Sequence, residues 1–564
     1  MPSTPLGRGF ELLEQHAEEA EGLAHQIGAG PALSRVMIQR GFDRNSSAIS
    51  FLEPKLADLS SPDSMADRDA AAERLGDAIR RREKIVVFGD YDVDGTTSAT
   101  ILSEMLEALG GDVDVLCADR FEGGYGLSFA ALERILHSRP SVIVTCDCGS
   151  SDHERIAAAN EKGIDVIVVD HHLVPSEPLP AHSFLNPHRD DCGFMFKGLC
   201  SAGLAMVIGA AVRKRMNQPL DPKRWLDLVA LGTIADLAPL TDDNRALTRA
   251  GLSAMMASDA RPAVTALREL AGVRAGGSLT ATDIAFRFAP LLNAPGRLGS
   301  PALTLQLLRS RTAMEAYALS KEVAALNAKR KELTALMQSE ALAQVVARYG
   351  SNPTTGVVVA SSSWHRGIVG ITAARIAEEF KVPAAVVALE GDVGHGSVRS
   401  YGGADVHQML SACREKLMAF GGHSAAAGFA VRTRDLDAFG DGFADSAELQ
   451  NTERNEPVDV LLDERCPIPS FKDVMAIEPC GQANRLPTYV AQADLTQVRT
   501  VGEQGLHLSG TLRIGGRSLR AFAPQLGHRR KELSGRRWLV GQIVPDHYRG
   551  GSALQWLIRD FWEG

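Results

Sequence analysis

From about residue 76 the chain alternates between two hydrophobic periods. AAERLGDAIRRRE, ALERILHSR and HERIAAANEKG place apolar residues three or four apart and predict helices, as does the segment from about Ser98 to Leu109. Between them lie KIVVFGD, DVDVLCA, SVIVTCD and DVIVVD, short apolar runs that predict buried strands. Strands alternating with helices at this spacing build a parallel, doubly wound sheet. Asp90, Asp147 and Asp170 each end one of the apolar runs. Ligands of open α/β sheets bind beyond the carboxyl ends of the strands, so these three acids are expected to converge although 80 positions separate the first from the last.

The pattern elsewhere differs. Residues 1 to 75 read as short helices and loops punctuated by Pro54 and Pro62. RWLDLVALGTIADLAPL predicts a buried helix ending near Asp236, before Pro239. In residues 301–348, Leu319, Val323, Leu326, Leu333 and Met337 recur near a 3.6 period, which predicts a helical connector. A second α/β unit starts near 353, with strands at TTGVVVASS and PAAVVALE flanking the helix HRGIVGITAARIAEEF. NAPGRLGS and GHGSVRS read as glycine-rich turns, and VHQMLSACREKLMAFGGHSAAAGFAV as a helix broken by a glycine loop. From about 457, short β-runs joined by Gly turns suggest a small barrel of OB type. The expected partition is 1–75, 76–300, 301–348, 349–450 and 455–564.

Composition narrows the class. With 564 residues, 45% hydrophobic and 23% charged, the chain is expected to be a soluble protein of several domains. It has no apolar run long enough for a membrane span, and its first residues lack the apolar core of a signal peptide. Eight scattered cysteines without a CxxC pair argue against a zinc site or a disulfide framework and point to a reducing cytoplasm. The net charge of −9 leaves the partner open, because a local basic channel can coexist with an acidic whole.

The candidate chemistry begins with Asp90, Asp92 and Asp94, three carboxylates within five residues of GDYDVDG. Such acids repel one another unless cations neutralise them. A single strand-end Asp is most often a helix cap, but the set Asp90, Asp92, Asp94, Asp147 and Asp170 with His171 reads as a metal site. Oxygen ligands joined by an imidazole suit Mn²⁺ or Mg²⁺, with the imidazole favouring Mn²⁺. An EF-hand is excluded, because Ile101 stands where its final Glu would be needed.

GDYDVDG, TCDCG, VVDHH and LGTIADLAPL, followed by GGHSAAAG, resemble in order the motifs of the DHH phosphoesterases and their associated domain. The resemblance implies a DHH phosphoesterase domain with a parallel sheet, a long connector helix, a DHH-associated α/β domain and a C-terminal OB-type barrel. It implies two bound ions, Mn²⁺ or Mg²⁺, which activate water and stabilise the leaving oxygen. Asp92 and Asp147, with Asp90 nearby, would hold one ion; Asp94, Asp147, His171 and Asp236 would hold the other. Asp94, Asp147 and His172 form the expected catalytic core, His172 facing the scissile phosphate while Asp170 orients its neighbours. Arg120, Arg297, Ser397 and Arg399 would bind a terminal 5′ phosphate. Arg375, with His365 and Arg366, is expected near the nucleic-acid backbone, and His423 near a second phosphate. CSAGLA, IEPCGQAN and the His395 of GHGSVRS depart from the family pattern without removing a proposed ligand.

The activity implied is a 5′→3′ exonuclease on single-stranded DNA with a 5′ end. It would release 5′-mononucleotides in repair and recombination, as a cytoplasmic monomer assisted by a helicase and a single-strand-binding protein. The alternatives are a DHH phosphodiesterase of oligonucleotides or cyclic dinucleotides, against which the barrel argues, and a catalytically inactive DNA-binding scaffold, against which the intact motifs argue.

Overall fold

A computed structural model describes residues 9–42, 45–273, 277–447, 455–514, 516–533 and 535–563. The chain forms two compact units, one of residues 1–293, 301–321 and 455–564, the other of residues 294–300 and 322–454.

The first unit contains the five-stranded parallel sheet. Its order is Asp112–Cys117, Lys84–Gly89, Val142–Cys146, Asp165–Val169, Ser183–Leu185. The three inner strands are buried almost throughout, which is why their sequence is continuously apolar rather than alternating. The helix after the first strand runs Val93–Ala108, five residues earlier than the apolar periodicity places its start. Asp92 is its N-cap, accepting a hydrogen bond from Gly95 N–H at 3.0 Å, and Asp94 sits in its first turn. The DxDxD segment is therefore a strand end leading into a helix. Helices Ser201–Met216 and Leu226–Ala235 pack against this helix.

The same unit holds a closed five-stranded barrel. Strands Tyr489–Val501, His507–Ile514, Arg517–Ala523, Leu554–Glu563 and Gly535–Pro545 pair in that order, and the last pairs back onto the first from Tyr489↔Gly541 to Leu495↔Gly535. The N-terminal residues are part of this body. Strand Phe10–Leu12 pairs with Glu456–Val458, and Leu23, Leu33, Val36 and Met37 share one apolar core with Leu462, Tyr489 and Trp556.

The second unit is a mixed sheet ordered Leu417–Gly422, Ala426–Arg432, Val393–Arg399, Ala384–Glu390, Val357–Ser361, with helix Val369–Phe380 against it. Three expectations are corrected here. GHGSVRS is a strand paired on both sides, with alternating burial. Its glycines are not turn residues; a Cβ on Gly396 would lie 2.2 Å from the ring of Phe429, so glycine makes room for an aromatic on the neighbouring strand. The segment from Val406 is a short helix, Val406–Ala412, followed by the hairpin Leu417–Gly422 and Ala426–Arg432. NAPGRLGS contains the helical turn Ala294–Leu298. The long helix is Ala313–Tyr349. Val323 and Met337 are buried along it, whereas Leu319, Leu326 and Leu333 flank the buried stripe half-exposed. Among the described residues no helix is long and apolar enough to cross a membrane.

Candidate metal centre

The parallel sheet delivers its acids by one repeated device. The N–H of Asp90 bonds to Cys146 O (3.1 Å), that of Asp147 to Val169 O (2.9 Å) and that of Asp170 to Leu185 O (3.0 Å). Each aspartate thus extends its strand's hydrogen bonding by one residue at the carboxyl edge, and its side chain leaves the sheet there. Asp147 does so with φ of 65°, a left-handed conformation rare for a residue with a Cβ. Backbone strain of this kind is concentrated at functional sites.

Three groups of potential ligand atoms result, each with all atoms within 4.8 Å of one another: Asp90, Asp92 and Asp147; Asp94, His171 and Asp236; and Asp147, His171 and His172. Asp147 belongs to two of them. The His171 Nε2 is 3.2 Å from Asp147 Oδ1 and 3.8 Å from both Asp94 Oδ2 and Asp236 Oδ1. It is buried yet makes no hydrogen bond. An imidazole nitrogen facing three carboxylates without a proton-sharing geometry fits a cation among them. The electrostatics agree. Burial and the charge of Asp92 push Asp90 well above the usual carboxylate range. Burial and the charges of Asp94, Asp92 and Asp90 do the same to Asp147. Burial, with Asp94 and Asp92, raises Asp236 to about 8. Burial lowers His171, favouring the neutral ring that can ligate. These carboxylates carry an uncompensated mutual repulsion that divalent cations remove.

Asp170 plays a different part. Its Oδ1 accepts from the N–H groups of His171 (2.8 Å) and His172 (3.2 Å) and from His172 Nδ1 (2.7 Å), while Oδ2 accepts from Ser150 N–H (3.0 Å). Burial would raise it, but the hydrogen bond and charge of His172 hold it well below its ordinary range. Burial would lower His172 in turn, but Asp170 raises it to about 9.

Three residues that the sequence reading passed over contribute. The Tyr125 hydroxyl lies 3.1 Å from both His172 Nδ1 and the carbonyl oxygen of Asp147. Ser201 N–H (2.7 Å) and Ala202 N–H (2.9 Å) donate to the two oxygens of Asp94, and the Ser201 hydroxyl donates to Asp147 Oδ1 (3.1 Å). A helix N-terminus thus cradles Asp94. The only signal in sequence was the run of small residues CSAGLA. The close approach also explains Gly232 of the GTIAD segment, where a Cβ would lie 2.7 Å from Asp94 Oδ1.

The arginine candidates divide between the units. Arg120 lies in the first, its guanidinium 4.1 Å from the centre of the Tyr91 ring and its Nε buried without a hydrogen-bond partner. In the second unit, Arg399 donates to the Ser397 hydroxyl (2.7 Å), the two residues sharing a face of one strand. Arg297 donates to Gly367 O (3.3 Å). Arg375 is paired with Glu379 (2.9 Å) one turn along its helix, and His423 is exposed in the hairpin turn, where its N–H bonds to Ala426 O.

The fold is that of the DHH class. Three family profiles match in order: the DHH family, N-terminal domain, over residues 84–233, the DHHA1 domain over 354–446 and the RecJ OB domain over 439–560. The chain is 33% identical to the single-stranded-DNA-specific exonuclease RecJ of Salmonella typhimurium, over 98% of this chain and 99% of the relative. It is 31% identical to that of Bacillus subtilis, over 98% of this chain and 70% of the relative. Its structure matches a crystal structure of RecJ in complex with Mn²⁺ from Thermus thermophilus with a TM-score of 0.82 at 29% identity, covering 98% of this chain and 79% of that one. The chain belongs to the RecJ family.

Proposed function

We propose that this protein is a metal-dependent exonuclease that degrades single-stranded DNA from its 5′ end and releases 5′-mononucleotides. The observation that carries the reading is the buried His171 Nε2 set among Asp94, Asp147 and Asp236 with no hydrogen bond, in a chain of this family. Asp90, Asp92 and Asp147 are assigned to one divalent cation, and Asp94, Asp147, His171 and Asp236 to a second, each Mn²⁺ or Mg²⁺. When bound, the two ions supply Lewis-acid activation of water and neutralise charge at the phosphate.

The side chains do the positioning. His172 has its Nδ1 engaged by Asp170, which leaves Nε2 as the nitrogen to donate to a phosphate oxygen. Asp170 fixes that ring, and Tyr125 braces it against the Asp147 carbonyl. Arg120, Arg297, Ser397 and Arg399 are assigned to the terminal 5′ phosphate, and Arg375 and His423 to the following backbone. On the same reading the protein acts in repair and recombination in the cytoplasm, as a monomer whose strand is prepared by a helicase and a single-strand-binding protein.

The test is release of mononucleotides from a 5′-phosphorylated single strand in Mn²⁺. The protein should release them, and Asp147→Ala should lose several orders of magnitude of that rate, since Asp147 would serve both ions. Tight strand binding by the parent chain without any release would favour an inactive scaffold instead.

A further inference from the structure

Helix Leu226–Ala235 ends on the candidate ligand Asp236, and the chain leaves it through a closed set of hydrogen bonds. The N–H of Leu237 donates to Ile234 O (3.2 Å) and the N–H of Ala238 to Thr233 O (3.1 Å). This is the Schellman arrangement, whose left-handed position is ordinarily taken by glycine. Here it is taken by Leu237 at φ 61°. A leucine in that conformation is disfavoured by contact of its Cβ with the backbone. Such strain is usually offset where the side chain packs into the core, but Leu237 is 68% exposed.

A second leucine shares the exposure, though not the left-handed conformation. Leu173 directly follows His172 and is 70% exposed. The two leucines therefore each adjoin a member of one constellation, in which His171 Nε2 and Asp236 Oδ1 are 3.8 Å apart. The site's interior is carboxylate and imidazole, while the residues that follow Asp236 and His172 in the chain are two large apolar side chains left in water, one of them at a local conformational cost. A nucleotide has both kinds of surface: an anionic phosphate that a cation-bearing interior accepts, and a sugar and base face that gains by leaving water.

We infer that Leu237, together with Leu173, is a substrate-contact residue whose side chain packs against the sugar and base face of the nucleotide at the scissile phosphate. The inference rests on the exonuclease reading and deepens it. A base in a duplex is stacked and paired and does not offer that face, so the two leucines contribute to the selection of single strands.

Leu237→Gly separates this role from a packing role. Glycine relieves the left-handed strain, so the melting temperature of the full chain should be unchanged or higher. The lost apolar contact should raise the KM for a 5′-phosphorylated oligodeoxythymidylate in Mn²⁺ by about tenfold. Leu237→Met, which keeps the apolar reach, should restore most of the affinity. A parent-like KM in Leu237→Gly overturns the assignment, as does a fall in melting temperature or a failure of Met to restore binding. A parent chain that releases no nucleotide in the same assay overturns both readings, which separates that outcome from failure of the leucine assignment alone.

Discussion

Asp94 illustrates how a single buried acid is made to serve. It is almost wholly inaccessible, and its oxygens are held by the first N–H groups of helix Ser201–Met216. Ser201 extends that hold to Asp147 through its hydroxyl. Ser201→Ala keeps the backbone donor to Asp94 but frees Asp147 Oδ1, the oxygen nearest to His171 Nε2. Loss of an outer hydrogen bond to a ligand should weaken Mn²⁺ binding by roughly 10–100-fold while leaving the fold intact. Calorimetric titration with Mn²⁺, alongside a melting curve, measures both, and an unchanged affinity would remove the Ser201 hydroxyl from the site. Asp90, Asp147 and Asp170 were legible in the sequence because a strand end has a fixed place in a parallel sheet, whereas Asp236, at a helix end, came only from the family resemblance. Ser201 and Tyr125 were not: they reach the site from a helix and a loop whose approach is set by packing, and neither residue type announces a role.

At the scale of elements, apolar patterning located four of the five strands of the parallel sheet and the β character of the barrel, but missed the three-residue edge strand Ser183–Leu185, too short to show a period. It misread Val393–Arg399, because glycine in sequence signals a turn, whereas Gly396 answers to Phe429 on another strand. The helix Phe471–Ile477 and the loop after it show a buried electrostatic device that no pattern revealed. Glu478 is buried, and one of its oxygens accepts from the N–H groups of Cys480 (2.9 Å) and Ala281 (3.3 Å). Burial raises it to about 7. Because its folded pKa lies above the unfolded one, its contribution to stability is complete below about 4.5 and is lost as pH rises through about 7. Glu478→Gln keeps an acceptor there and never ionises. The variant should therefore melt higher than the parent at pH 8.5 and by a much smaller margin at pH 5. Equal margins at the two pH values would show that Glu478 is already neutral, or already compensated, throughout.

For the whole molecule, the chain's two ends form one body. Leu33, Val36 and Met37 lie in the core that also contains Tyr489 and Trp556. Arg245, buried from water, is stacked 3.8 Å from the centre of the Phe51 ring. It donates to the carbonyls of Phe51, Ala476, Ile477 and Pro479, so one guanidinium ties the N-terminal helices, the parallel-sheet region and the approach to the barrel. Sequence periodicity marked residues 1–75 only as short helices and loops, since a partner more than 400 positions away leaves no local trace. The arrangement makes a firm prediction about where the chain can be cut. Deleting residues 1–52 removes the apolar partners of the barrel core and leaves Arg245 without its ring and one of its four acceptors. Burying a Leu or Met side chain is worth about 1.5–3 kcal/mol, and several are lost together against a typical total stability of roughly 5–15 kcal/mol. The truncated chain should lose its cooperative melting transition and bind a hydrophobic dye, although every candidate metal ligand remains in it. Cooperative melting near the parent temperature would show instead that the barrel core closes without the N-terminal helices.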